Sequence, residues 1–184
     1  MSIQLDLRVV ELLASRLCHD LVSPIGAVNN GLELLAEDPD AVDDAATLAG
    51  GAARQASDLL QFYRLAYGQA GRRLGETGQE LYDIAAAFAR KNKARVDWRA
   101  DAGWAEAPAG LGKLTLNLVA LAVEALPRGG TVEVALDPGP TLYITAVGTQ
   151  AGLRESSAAG LDARVSVDAL TPYSVQAYFT RLLA

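Results

Sequence analysis

The chain has 184 residues, 51% of them hydrophobic, and its formal net charge is −6. An acidic chain without basic runs is poorly suited to neutralising nucleic-acid phosphates or to attracting anionic lipid, so neither nucleic acid nor membrane is an expected partner. A single cysteine, Cys18, excludes an intramolecular disulfide, and no apolar run approaches the ~20 residues of a membrane span, so we expect a cytoplasmic protein.

Two long amphipathic helices are predicted at the start of the chain. Apolar residues recur at steps of three, four and seven over residues 6–36, as expected for one face of a helix. Asp38 and Pro39 then signal the start of a second helix, which extends to about Gly68. Because the connection is short, the pair should form an antiparallel hairpin. A second copy would cover its remaining apolar stripes, giving a homodimer with a four-helix bundle.

A second domain of different character is predicted after this hairpin. The Gly-rich segment 68–78 marks the boundary, so we assign residues 1–70 to the helical hairpin and residues 76–184 to the second domain. Helical and strand-like patterns are mixed in the latter, which gives the whole chain an α+β fold. Helices are predicted at 79–92, 111–126 and 172–184, and strands at 95–100, 131–136, 141–147 and 163–167. The sequence DPGP, residues 137–140, predicts a turn between the second and third of these strands.

The only histidine of the chain, His19, lies on the first predicted helix and is followed by Asp20. Leu17 and Leu21, on the apolar stripe, lie about 200° around the helix from it. The residues that share its face, at offsets of −4, +4, +7 and +11, are small or polar. They are Ser15, Ser23, Gly26 and Asn30. His19 is therefore predicted to face solvent on a surface that a partner can approach closely.

Position alone leaves open that His19 is a surface residue with no function. The side chain of Cys18 diverges from His19 on a helix, which disfavours a nucleophile–base pair, and one His with one Cys provides too few ligands for zinc. A neutral imidazole is itself a nucleophile, and Asp20 could accept the proton of one ring nitrogen. This pairing favours attack on an acyl phosphate of a partner, with His19 and Asp20 as the catalytic residues.

The sequence HDLVSPI, residues 19–25, resembles the phosphoacceptor box of sensor histidine kinases. The positions that match this pattern are His19, Asp20, Leu21, Pro24 and Ile25. In that family the box lies on the first helix of a dimeric hairpin, and the resemblance implies that Pro24 bends the helix. Proline inside a helix costs about 3 kcal/mol, which favours a functional reason for its presence.

Residues 117–134 weakly resemble part of the ATP-binding domain of the same kinases, an α/β sandwich. Leu121 occupies the position of the magnesium-binding Asn, and Ala146 that of the Asp that binds adenine. Gly148 is retained, but Gln150 replaces the second Gly of that motif. The resemblance therefore implies a degenerate ATP-binding domain, with no ATP or metal cofactor and no autokinase activity.

The segments 16–35 and 170–179 are similar to dimeric histidine phosphotransferases of the ChpT type. This similarity implies that His19 takes a phosphoryl group from the receiver domain of a hybrid histidine kinase and passes it to a response regulator receiver domain. The receivers would supply Mg²⁺ and a catalytic Lys. Docking is expected on the face around His19, at Leu12, Ser15, Arg16, Val22, Ser23 and Gly26.

Alternatives to this interpretation remain. Each docking residue could be plain helix surface, and Arg16 could have a partner within the chain instead of meeting phosphoryl charge. The whole protein could be a non-catalytic degenerate kinase that docks to a histidine kinase and inhibits it. An autokinase with an atypical ATP site is a third possibility.

Overall fold

A hairpin of two long helices precedes a small sheet and four shorter helices in the computed structural model, which describes residues 5–69, 78–99, 104, 107–137 and 141–184. The arrangement is α+β, which confirms the predicted fold class. The helices are α1 (Leu7–Glu37), α2 (Val42–Ala66), α3 (Gly78–Arg90), α4 (Leu111–Glu124), α5 (Glu155–Leu161) and α6 (Val175–Leu183). The strands are β1 (Ala94–Trp98), β2 (Gly130–Asp137) and β3 (Thr141–Val147).

The first helix, α1, has 31 residues, which corresponds to a length of about 46 Å. It begins after Asp6, whose carboxylate accepts the backbone N–H of Arg8 at 2.9 Å. One turn of 3₁₀ helix, Pro39–Ala41, precedes α2, so the second α-helix begins slightly later than the sequence predicts. The two helices approach closely at Gly31, where a Cβ atom would lie 2.9 Å from the Cβ of Ala49.

The sheet has the order β1-β2-β3, with β1 parallel to β2 and β2 antiparallel to β3. Alternate side chains of β2 point into the core, which agrees with the period-two pattern of a half-buried strand. These buried residues are Val132, Val134 and Leu136. The turn predicted between β2 and β3 falls largely at residues 138–140, outside the described residues.

One hydrophobic core joins the base of the hairpin to the rest of the chain. Phe62 of α2 is fully buried there, and its ring stacks on Phe88 of α3 with centroids 3.9 Å apart. A second, smaller cluster joins the start of α1 to the C-terminal segment through Val9, Leu13, Leu170, Val175 and Phe179. The base of the hairpin is thus packed on two sides by the C-terminal half.

The strand predicted at residues 163–167 is wrong. Asp162 accepts the backbone N–H of Arg164 at 2.9 Å, which closes a turn, and a 3₁₀ helix at Val167–Ala169 follows. The short helix α5 was not predicted, because its run of small residues carries little apolar periodicity. It packs against the segment before α6 through Gly160, where a Cβ atom would lie 2.3 Å from the carbonyl oxygen of Ser174.

Two further sequence expectations concern the boundary and the membrane. Residues 70–77, most of the predicted boundary segment, lie outside the described residues. In the described part of the chain, no helix combines the length and the apolar character needed to cross a bilayer.

Candidate functional site

His19 lies on the open side of α1 with 83% of its side chain exposed, in agreement with the helix geometry of the sequence. Its Nδ1 atom is 3.3 Å from Oδ1 of Asp20. Because this contact uses Nδ1, the Nε2 atom is the ring nitrogen that a partner can reach. Pro24 is buried in α1, which continues through it to Glu37. The bend expected at Pro24 stays a prediction.

The carboxylate of Asp20 lies between His19 and a tyrosine of α2. Its Oδ2 atom accepts a hydrogen bond from the hydroxyl of Tyr63, which is only 6% exposed. Burial, and next the hydrogen bond to Asp20, raise the pKa of the Tyr63 phenol far above its usual value. Tyr63 therefore remains protonated and donates this hydrogen bond at neutral pH. Its place on the apolar stripe of α2 indicates only a core position, so the sequence alone does not mark Tyr63 as a site residue.

Arg16, one turn before Asp20, forms an ion pair with Glu124 of α4. Both side chains are largely buried, at 16% and 17% exposure. Burial opposes the charge of Arg16, but the attraction of Glu124 outweighs it and the pKa of the guanidinium is raised. The second oxygen of Glu124 accepts the hydroxyl of Ser157 at 3.4 Å. Arg16 thus connects α1 to the C-terminal half, and its predicted docking role would require it to act from within this pair.

A series of buried hydrogen bonds also joins the base of the hairpin to the C-terminal half. The hydroxyl of Tyr67 donates to Oε1 of Gln176, and Nε2 of Gln176 donates to Oδ1 of Asn117 at 2.8 Å. The amide nitrogen of Asn117 donates to the carbonyl oxygen of Ala66 at 2.8 Å. Since Asn117 and Gln176 have no exposed surface, these bonds hold α2, α4 and α6 in one arrangement.

A cavity of ≈ 450 Å³ opens beside His19, between the hairpin and the C-terminal half. Besides Arg16, which is paired with Glu124, two cationic side chains, Lys91 and Arg154, line it together with the polar groups of the site and several apolar residues. The other lining residues are Ser15, Arg16, His19, Asp20, Leu59, Phe88, Asn92, Val123, Glu124, Pro172 and Tyr173. The imidazole therefore borders a concave surface that also carries these cationic side chains.

The remaining predicted docking residues fall into two groups. Three are exposed on α1: Ser15, Val22 and Ser23. Gly26 is open as well, since no atom lies within 4 Å of the position that a Cβ atom would take. Leu12 is partly buried and packs against the cluster formed with α6. A partner could therefore contact Ser15, Val22, Ser23 and Gly26 directly, and their docking role stays a prediction.

The acidic groups near His19 are engaged within the chain: Asp20 with Tyr63, and Glu124 with Arg16. Over the described residues, no group of three or more His, Cys, Asp and Glu side chains could hold a metal ion. Cys18 is exposed next to His19.

The chain is similar to known phosphotransferases over its whole length. Residues 78–184 match the family described as histidine phosphotransferase C-terminal domain. The protein phosphotransferase ChpT of Brucella abortus (strain 2308) is 36% identical over 193 residues, an alignment that covers 100% of this chain and 90% of the relative. A solved bacterial phosphotransferase is 35% identical, with a TM-score of 0.81 over 99% of this chain and 88% of that one.

Proposed function

The chain belongs to the ChpT-type histidine phosphotransferases, and on that premise we propose that it relays a phosphoryl group through His19 between two receiver domains. The donor is the receiver of a hybrid histidine kinase and the acceptor is the receiver of a response regulator. The observation that supports this most directly is an imidazole with 83% of its side chain exposed, whose Nδ1 lies 3.3 Å from a carboxylate. That arrangement suits a nucleophile that must reach a phosphoryl group held on another protein.

In the first half-reaction, the lone pair of His19 Nε2 attacks the phosphorus of the donor's aspartyl phosphate. The N–P bond forms while the P–O bond breaks, and the donor's aspartate leaves as a carboxylate. The imidazole ring becomes a phosphorylated cation that keeps its proton on Nδ1, where Asp20 stabilises the charge. In the second half-reaction a carboxylate oxygen of the acceptor attacks the same phosphorus, the N–P bond breaks and neutral His19 is restored.

Most of the remaining catalytic contribution comes from the bound receiver. Phosphoryl transfer depends mainly on positioning and charge stabilisation, and the receiver supplies Mg²⁺ and a Lys for this. The open face of α1 at Ser15, Val22, Ser23 and Gly26 contacts the receiver. Lys91 and Arg154, which line the same cavity as His19, attract the negatively charged phosphoryl group and its acidic surroundings.

Direct use of ATP is not part of this proposal. Leu121, at the position of the kinases' magnesium-binding Asn, is one of the buried residues of α4. Ala146 of β3 places a methyl group where the kinases have the adenine-binding Asp. Neither side chain can coordinate Mg²⁺ or accept a hydrogen bond from adenine.

Wild-type protein is expected to take up label from a receiver that carries ³²P-aspartyl phosphate. The labelled chain should keep its phosphate in alkali and lose it in acid, as phosphohistidine does, whereas an acyl phosphate is lost in alkali. The parallel incubation with γ-³²P-ATP and Mg²⁺ should leave the chain unlabelled. A chain that no receiver of the source organism labels would contradict the relay, and label from ATP would contradict the absence of autokinase activity.

We also propose that the protein is a homodimer through its hairpin. Several large apolar side chains of the hairpin remain exposed in the single chain. On α1 they recur at steps of seven and three, at Ile25, Leu32 and Leu35. On α2 the stripe continues with Leu48. A second copy of this stripe would bury all of them in a four-helix bundle, the favourable arrangement for paired amphipathic helices.

The variant Leu32→Asp is expected to convert the dimer to a monomer, because Leu32 is 55% exposed at the centre of this stripe and would place a charge in each copy of the interface. Light scattering at micromolar concentration gives the mass directly. The matched control is Leu153→Asp, which charges a leucine of similar exposure, 48%, in the C-terminal half and outside the stripe, and should stay dimeric. A monomeric wild type, or a dimeric Leu32→Asp, would refute the interface.

A further inference from the structure

We infer that Tyr63 is a positioning residue for the transfer: its hydroxyl holds the Asp20 carboxylate in the orientation that engages Nδ1 of His19. This inference rests on the proposed function of His19. It assigns a role to a residue of the second helix that lies 44 positions after His19 in the chain. Tyr63 does not touch the reacting atoms. It acts only through Asp20.

The contacts form a chain of three groups in which each carboxylate oxygen has one partner. The Tyr63 hydroxyl donates to Oδ2, and Oδ1 lies 3.3 Å from the ring nitrogen of His19. Asp20 is partly exposed, at 26%, so on its own its carboxylate would be free to rotate toward water. A donor fixed on the inner side of the carboxylate removes that freedom and keeps the other oxygen beside His19.

Tyr63 is itself held firmly. Its ring is stacked on Tyr67 with centroids 5.4 Å apart, and meets Phe62 edge-on at 5.8 Å. All three belong to the core beneath the site or pack against it. The raised pKa of the phenol keeps its proton in place, so the hydroxyl is a donor to the carboxylate throughout the physiological range.

The effect on chemistry follows from the tautomer of His19. A carboxylate fixed beside Nδ1 favours the proton on Nδ1 and leaves the lone pair on Nε2, which is the nitrogen exposed to the partner. If Asp20 turns away, this preference weakens and the cation formed during transfer loses its nearest negative group. Since an oriented group that stabilises developing charge is typically worth about 10²–10³ in rate, loss of its orientation alone should cost about tenfold.

Tyr63→Phe tests the inference because it removes the hydroxyl and keeps the ring. We expect uptake from a phosphorylated receiver to slow about tenfold, and the tautomer ratio of His19 to shift toward the proton on Nε2. The ratio is read from ¹⁵N chemical shifts at pH 8.5, and a chain with one histidine gives a single pair of ring signals. The matched control, Tyr67→Phe, removes a neighbouring hydroxyl that binds Gln176 and not Asp20.

The control separates positioning from simple stability. Both variants remove a side-chain hydrogen bond, so both should unfold more easily than wild type, but Tyr67→Phe should keep the rate within about twofold and leave the tautomer ratio unchanged. A Tyr63→Phe protein with the wild-type tautomer ratio overturns the inference, whatever its rate, and leaves the role of His19 untouched. If instead wild type is never phosphorylated on His19, the proposed function fails while the tautomer measurement still reports on Tyr63.

Discussion

Replacing His19 by glutamine is expected to abolish phosphoryl uptake from a phosphorylated receiver. Glutamine preserves approximate size and polarity but has no nucleophilic ring nitrogen, and loss of a nucleophile costs on the order of 10³-fold or more. The chain contains no second histidine that could accept the phosphoryl group instead. Label transfer followed over seconds to minutes, at fixed receiver concentration, measures the loss.

Stability and a neighbouring substitution provide the controls for this experiment. Because His19 is largely exposed, the free energy of unfolding of His19→Gln should lie within about 0.5 kcal/mol of the wild-type value. A lost labelling signal then reflects lost chemistry. Cys18→Ala changes the adjacent exposed residue, whose side chain points away from His19, and should transfer at the wild-type rate. Labelling of His19→Gln at the wild-type level would show that another residue accepts the phosphoryl group.

The second large effect is expected at Glu124, whose replacement by alanine should lower the free energy of unfolding by about 3 kcal/mol. The substitution leaves the Arg16 guanidinium charged, largely buried and without its counterion. Its Nε atom already has no hydrogen-bond partner, so little remains to stabilise the charge. For a chain of this size, the midpoint temperature of thermal unfolding should fall by about 6–12 °C.

Two further variants show whether the ion pair is the cause. Glu11→Gln neutralises an exposed carboxylate of α1 and should change stability by less than about 0.5 kcal/mol. The double variant Arg16→Met, Glu124→Leu removes both charges and should recover most of the loss, because apolar pairs commonly replace buried ion pairs without large cost. A double variant as unstable as Glu124→Ala would assign the loss to packing and not to the unpaired charge.

The sequence was sufficient for the features that depend on one helix or one strand. The long α1 and α2 follow from apolar residues at helical spacing, and the exposure of His19 follows from its angle to Leu17 and Leu21. The strands β2 and β3 likewise follow from alternating apolar residues on either side of a turn. These features are local, so no knowledge of distant contacts is needed to predict them.

The features that the sequence did not predict depend on contacts between distant segments. Arg16 pairs with Glu124, 108 positions away, and nothing in the pattern near either residue indicates the other. Tyr63 lies on the apolar side of α2, and apolar periodicity indicates which side of a helix is buried but not which group a tyrosine hydroxyl there will bind.

The packing of α1 divides this one helix into two parts of different local stability. Its first half is tied to the C-terminal segment, where Arg8 donates to the carbonyl oxygens of Val167, Asp168 and Leu170. Its second half packs on α2, as at Gly31, and leaves apolar side chains in water. The first half is thus held by contacts within the chain, whereas the tip gains full burial only from the proposed second copy. His19 and Asp20 lie near the junction on the side held within the chain, so the packing around the catalytic pair does not depend on the second copy.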